Sequence, residues 1–318
     1  MRSIQQKGEG RSGFPFSFVQ LKGDLHIEQT YQIKPHVYKV RGNDQTYILK
    51  QYSSKLVVQQ QWDFFEQTEN PDIVRFVPFP NGERFICGDQ GDVYTLAPCM
   101  NGWPLSYNKE KDRIASHDLL SQFQQSSLGI KLDSMIPKLP IYMKWKKRLH
   151  TFSAFLGIFE AFGQRELFDA ITQKSYAILS EVEQLDWRMI EEDAVQKGSW
   201  IHGDVASHNF IRDGAQVRLI DFDLLGQSPP VYDWIQLAQR WMEHVEAEQL
   251  LRFKGFQQCS LDPLWLYGVQ YPSDVMREWI SFMRTQPSQE EIYYFLTKMA
   301  GEWTRRESFV EQLNTMLT

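Results

Sequence analysis

Cysteine is scarce in this chain: Cys87, Cys99 and Cys259 are its only three in 318 residues. They are odd in number, far apart, and free of CxxC or Cys/His spacing, which excludes a disulfide framework and a zinc-binding knuckle. The expected location is therefore a reducing compartment, the cytoplasm. Long hydrophobic runs are also missing. The most apolar window, Phe152 to Gly163, is too short for a membrane span and contains Glu160. The opening segment MRSIQQKGEGRSGF is polar, with no apolar core ahead of small residues, and so does not read as a secretory signal. Nor does charge of one sign dominate: a net charge of −6 argues against bulk attraction to nucleic acid or to an anionic membrane. Repeats and low-complexity tracts are absent. These absences leave a soluble globular chain, long enough for two domains or for one large domain of two lobes.

What is present in excess is aromatic: 14% of residues, with ten tryptophans. Such residues serve thick cores as readily as stacking or partner surfaces. One local cluster, Lys144, Lys146, Lys147, Arg148 and His150, departs from the even charge distribution and reads as a solvated helix face or a binding patch. The first hundred residues have the texture of an α+β lobe. Two strand-like runs, Val37 to Val40 and Thr46 to Tyr52, flank the turn RGND. A helix is predicted from the serines at 53–54 to the stop at Asn70-Pro71, and two further strands, RFICG and VYTLAP, flank DQGD. Beyond Pro98 helical spacing dominates. Phe168, Ile171, Ile178, Val182 and Leu185 share one face, and Ile292, Phe295, Leu296, Met299 and Trp303 share another. A boundary falls between residues 97 and 103, giving an N-terminal lobe of residues 1–98 and a C-terminal lobe of residues 99–318.

One stretch carries the chemistry. In WIHGDVASHNFIRDGAQVRLIDFD, polar groups stand at fixed offsets between short apolar strands: His202, Asp204, Asn209, Asp221 and Asp223. RDG is a turn, with Asp213 a turn residue. Asp204 suits a base that accepts a hydroxyl proton, and Asn209 and Asp221 offer hard oxygen ligands for magnesium. Asp223 either joins Asp221 on the metal or caps the following turn. Phosphoryl transfer needs such a set, with metal against phosphate and a carboxylate orienting the attacking oxygen.

H-G-D-x-x-x-x-N followed by I-D-F-D resembles the catalytic loop and metal-binding segment of the aminoglycoside phosphotransferase and choline kinase group, relatives of the protein kinases. The resemblance implies a two-lobed protein-kinase-like α+β fold, with a small β-rich N-terminal nucleotide-binding lobe and a larger, mainly helical C-terminal lobe. It implies ATP and Mg2+ as cofactors, with Asp204 as catalytic base and Asn209, Asp221 and Asp223 on the metal. Lys50, ending the strand YILK, would hold the nucleotide's phosphates, and Glu66 on the following helix would be its ion-pair partner. VYTLAPCMNG is similar to the connector whose backbone meets an adenine. Asp233, in PPVYDWIQLAQRWM, is similar to the aspartate of the group's D-L-A helix, and a helix cap fits it equally well. His202 is expected to hydrogen-bond the loop backbone rather than to catalyse.

Within this group, VYTLAPCMNGWPL together with HGDVASHNF is most similar to kinase-like proteins associated with the bacterial endospore coat. That adds spore coat proteins to a small-molecule hydroxyl substrate as expected partners, and the spore coat to the cytoplasm as a location. The chain departs from the group's pattern in three ways. YQIKPHVYKV has no glycine where a glycine-rich loop would cover the phosphates. Ala206 stands where histidine is common, and His208 where glycine is common. No motif marks the acidic patch that aminoglycoside enzymes present to cationic substrates. The two readings are an ATP- and magnesium-dependent phosphotransferase and a kinase-fold component of an assembly with little turnover.

Overall fold

The computed structural model describes residues 14–133 and 135–317, so the polar segment at residues 1–13 lies outside the described residues. The chain begins with α1 (Phe16–Gly23) and continues into β1 (Ile27–Lys34), β2 (Val37–Gly42), β3 (Gln45–Tyr52), α2 (Lys55–Gln67), β4 (Ile86–Cys87) and β5 (Val93–Pro98). These strands form one antiparallel sheet in the order β1-β2-β3-β5-β4. The turn between β2 and β3 places Asn43 and Asp44 at positive φ, 49° and 60°, the backbone a two-residue hairpin turn demands.

The expected order of strand, strand, helix, strand, strand lacks β1. Every residue of β1 after Ile27 is exposed, so it carries no alternation of apolar and polar residues to betray it.

After β5 come β6 (Trp103–Pro104), α3 (Glu110–Ser127), α4 (Ile141–Ser153), α5 (Leu156–Ala161), α6 (Arg165–Val182) and α7 (Trp187–Lys197). The single stripe expected through Leu185 is two helices, because Asp186 accepts a hydrogen bond from the Met189 amide and starts α7. Next are β7 (Trp200–Ile201), β8 (Phe210–Asp213), β9 (Gln216–Leu219) and β10 (Gly226–Gln227). The helices α8 (Val231–Trp241), α9 (Ala247–Leu250), α10 (Lys254–Cys259), α11 (Pro263–Gln270), α12 (Ser273–Met283) and α13 (Gln289–Leu317) complete the chain. The architecture is an antiparallel sheet lobe followed by a mainly helical lobe. All tryptophans except the exposed Trp103 and the half-buried Trp187 are buried, so the aromatic excess is mainly core.

Two features tie the lobes together beside the stretch from Trp200 to Asp223. The chain leaving α2 docks on the β8–β9 hairpin, where Leu219 N donates to Asp72 O at 2.8 Å and Val74 N donates to Leu219 O at 2.8 Å. A run of rings from α2 to α3 passes through the site: Phe65 against Phe222 at 5.3 Å, Phe222 against His202 at 4.8 Å, and His202 against Phe123 at 6.3 Å between centroids. No helix among the described residues is long and apolar enough to cross a membrane.

Candidate active site

The loop from His202 to Asn209 joins β7 to β8, and its shape is set by Gly203. This residue has φ +83°, and a Cβ there would lie 2.6 Å from the Leu224 carbonyl oxygen, so only glycine fits between the loop and the segment after Asp223. The flanking His202 is fully buried. Its Nε2 donates to Ile220 O at 2.9 Å, and its Nδ1 accepts from the Asp204 amide at 3.3 Å. Burial pushes the imidazole below its usual range, which keeps it neutral for both bonds and gives it the loop-holding role expected of it.

Asp233 is not the cap of α8. The N-cap is Pro230, and the fully buried Asp233 carboxylate accepts from the amides of His202 at 2.7 Å and Gly203 at 2.9 Å. Burial raises its pKa to about 7, against the opposing pull of those two amides. Seven residues on, Arg240 Nη2 donates to Asp204 Oδ1 at 2.7 Å. The separation of two helical turns puts Asp233 and Arg240 on the same face of α8, so one helix grips the loop's backbone and its acidic side chain. Tyr107 adds a third hold, its hydroxyl donating to Val205 O at 2.8 Å. Asp204 keeps a third of its side chain exposed.

Asn209 sits in a short 3-10 turn, Ser207–Asn209. Its side-chain amide nitrogen donates to Asp204 O at 2.8 Å, and its backbone carbonyl accepts from Ile220 N at 2.9 Å. Asn209 and Asp221 are thereby held on adjacent segments.

Asp221 adopts a left-handed backbone, φ 66° and ψ 68°, which turns its carboxylate toward the sheet lobe. There Lys50 Nζ donates to Asp221 Oδ1 at 2.6 Å and to both oxygens of Asp223 at 2.8 Å. Tyr52, two residues along β3 and so on the same face, donates its hydroxyl to Asp223 at 2.7 Å. Lys34, at the end of β1 next to the glycine-free turn, approaches the other Asp221 oxygen at 3.4 Å.

Burial would raise the Asp221 carboxyl, but the Lys50 ammonium, with Lys34 behind it, outweighs burial and holds it well below the carboxylate range. For Lys50 burial acts downward, and the charges of Asp223 and Asp221 outweigh it, raising its pKa.

Glu66 is the correction. It is half exposed and pairs with Arg84 rather than with Lys50, because its position near the C-terminal end of α2 turns it away from β3. The α2 residue that does face the site is the buried Gln60, which donates to Leu225 O at 3.0 Å and accepts from Ile136 N at 2.7 Å. Asp223 does not cap the turn after it; Asp221 occupies that position. His208 is exposed. Lys34, Tyr52 and Arg240 were not anticipated. Arg240 was marked by its spacing of seven from Asp233, and Tyr52 by its spacing of two from Lys50.

Among the described residues no three His, Cys, Asp or Glu side chains form a self-sufficient metal cluster. The oxygen donors on these adjacent segments are the carboxylates of Asp221 and Asp223, which share Lys50, and the side-chain amide of Asn209, all hard ligands. The set fits magnesium, which characteristically takes one or two carboxylates and completes its sphere with water and phosphate oxygens.

The profile of the APH phosphotransferase enzyme family matches residues 33–266. Among solved structures, the chain is similar to an aminoglycoside phosphotransferase from Alicyclobacillus acidocaldarius subsp. acidocaldarius DSM 446, at 16% identity, with a TM-score of 0.71 over 95% of this chain and 96% of that one. It is similar to the amicoumacin kinase hAmiN in complex with AMP-PNP, Ca2+ and Ami, at 12% identity and a TM-score of 0.61 over 90% and 93% of the two chains. It is also similar to the AMP-bound spectinomycin phosphotransferase APH(9)-Ia, at 13% identity and a TM-score of 0.59 over 89% and 94%. No curated protein sequence matches it. The family match spans well over half the chain, from the end of β1 into α11, and takes in the residues gathered around Asp204 and Asp221, from Lys34 to Arg240: the chain belongs to the APH phosphotransferase enzyme family.

Proposed function

We propose that the protein transfers the γ-phosphoryl group of ATP to a hydroxyl of a small molecule. The observation that carries this reading is the convergence of Lys50 from β3 on Asp221 and Asp223, beside a loop that presents Asp204 and Asn209. The nucleotide would lie between a lobe of residues 1–98 and a catalytic lobe of residues 99–318, its base against the connector Cys99–Gly102. Lys50 would bind phosphate oxygens, and Lys34 would supply from a side chain the contact that glycine amides usually make. Asn209 and Asp221, joined by Asp223, would hold magnesium, which on binding neutralises phosphate charge.

In the transfer, the acceptor oxygen forms a bond to the γ-phosphorus as the bond from phosphorus to the bridging oxygen breaks. The electron pair leaves with ADP, and the hydroxyl proton passes to Asp204. Arg240 keeps that carboxylate aimed.

A second reading, a weakly active kinase-fold component of a spore coat, is favoured by the hairpin that lacks glycine. The three free cysteines suit the cytoplasm in either case. Thermal unfolding with and without ATP and magnesium separates the readings. A magnesium-dependent rise in midpoint in the wild type, lost in Asp221→Ala, is expected, followed by ATP turnover in a substrate screen. No rise at millimolar nucleotide sinks the enzyme.

A further inference from the structure

Beyond Asp204 the molecule gathers cations from α4, α8 and α12. Arg240 on α8 holds Asp204, and its charge is opposed by Arg277 on α12. Arg148 on α4 reaches the start of the same helix, donating to Ser273 O at 3.1 Å and to the Ser273 hydroxyl. Arg277 lies four residues, one turn, beyond Ser273. Lys144 is one turn before Arg148 on the same face of α4. Lys138, ahead of α4, lies along Gly226, where a Cβ would come within 2.2 Å of its Cε. Gly226 pairs with Ile201, the residue before His202. The row therefore begins on the side chain of Asp204 and ends on the strand that supports the same loop.

Among the described residues, Lys138, Lys144 and Arg148 have no carboxylate within 4.0 Å, and Arg277 meets only Glu278, at 3.7 Å. The nearest other acid, Glu191, is engaged by the Tyr232 hydroxyl at 2.5 Å. Loss of hydration lowers Lys138, Lys144 and Arg148 alike; repulsion from Lys144 and from Arg277 adds to it at Lys138 and Arg148, while at Lys144 the pull of Glu191 opposes the push of Arg148. A fold that crowds cations this way bears a standing cost that an anion relieves.

We propose that the acceptor is a hydroxyl compound carrying an anionic group, a carboxylate or a phosphate, which Lys138, Lys144, Arg148 and Arg277 bind while its hydroxyl meets Asp204. This inference rests on the phosphotransferase reading. The rival feature is a cleft lined by Glu243, Asp274, Glu278 and Glu302. Two of its acids have close cations of their own, Arg306 on Asp274 at 2.8 Å and Lys298 on Glu302 at 3.0 Å, and none of the four is bonded to the Asp204 loop.

The test is thermal unfolding of the full chain at constant ionic strength with four probes of matched size: gluconate, glucose 6-phosphate, glucose and glucosamine. The wild type is compared with Lys138→Gln/Lys144→Gln, which removes two charges that make no hydrogen bond. The expected result is a midpoint rise of about 2 °C or more at about 10 mM with an anionic probe. The variant loses that rise, and neutral glucose gives none. Gluconate acting alone assigns a carboxylate, and glucose 6-phosphate alone assigns a phosphate.

The proposal is overturned if neither anion acts, if the variant responds as the wild type does, or if glucosamine gives the larger rise. ATP with magnesium is titrated in parallel. A nucleotide shift without an anion shift defeats the acceptor class alone, whereas loss of the nucleotide shift defeats the phosphotransferase reading itself.

Discussion

On the β3 side of the loop, Lys50 and Lys34 meet the carboxylates of Asp221 and Asp223; on the α4 side, Lys138, Lys144 and Arg148 form no ion pair among the described residues, and Arg148 is repelled by Arg277. The two halves solve the same electrostatic problem in opposite ways. Where magnesium and phosphates are to enter together, protein groups of both signs can neutralise each other until the ligand separates them. Where a lone anion is to enter, the fold must leave its cations unmatched. Pairing thus marks a place for a ligand of mixed charge, and crowding marks a place for a ligand of one charge.

The most severe test of this contrast removes the proposed base, Asp204, between the two halves. Asp204→Asn should reduce phosphoryl transfer by about 10²- to 10⁴-fold while the rise in unfolding midpoint with ATP and magnesium persists, as steady-state rates and melting curves on one preparation will reveal.

A carboxylate with no cation at all comes next. Asp233→Asn turns an amide group toward one of two backbone N–H donors and should cost about 1–3 kcal/mol in urea unfolding. The wild type should also show a pH signature that the variant lacks. The folded chain retains the Asp233 proton up to about pH 7, whereas an unfolded aspartate releases it near pH 4. Between those values the folded state binds more protons, so this group's contribution is greatest below about pH 4, declines as pH rises to about 7 and is flat above. A wild-type stability curve parallel to that of the variant across this window would contradict the assignment.

Lys50→Ala should leave Asp221 and Asp223 facing each other and lower apo stability by about 1–2 kcal/mol, less than a fully buried pair because both carboxylates are partly exposed. Lys138→Gln/Lys144→Gln should do the opposite, leaving stability unchanged or raised by about 0.5 kcal/mol. Equal losses in these two variants would erase the contrast. Glu66→Gln should fall within about 0.5 kcal/mol and leave ATP binding intact, since its partner Arg84 is a surface residue.

Legibility in the sequence followed the reach of each signal. The I′ turn at Asn43-Asp44 and the strand β5 were readable because turn chemistry and apolar runs are local. β1 was invisible because its exposed residues obey no period. The loop residues Asp204, Asn209 and Asp221 announced themselves through spacing, and the structure brings them together. Glu66 misled because the resemblance asks for an acid on the helix after Lys50 without saying which face of that helix meets β3. Lys34 was beyond local signals, since it acts across the lobe boundary on a residue far away in the chain. The basic cluster was seen as a run within α4, yet its members separate: Lys144 and Arg148 turn toward the loop side, while Lys146 pairs with Glu183.

The two holds that α8 exerts on the loop make the helix a measuring rod. Seven residues at 1.5 Å of rise separate Asp233 from Arg240 by about 10 Å and about two full turns. A single residue inserted between them would rotate Arg240 by about 100° from Asp204 while Asp233 still clasped the loop's amides. The loop would keep its shape and lose its aim. Spacing within α8, far from any motif in the loop, is thus as much a part of the site's reading frame as H-G-D itself.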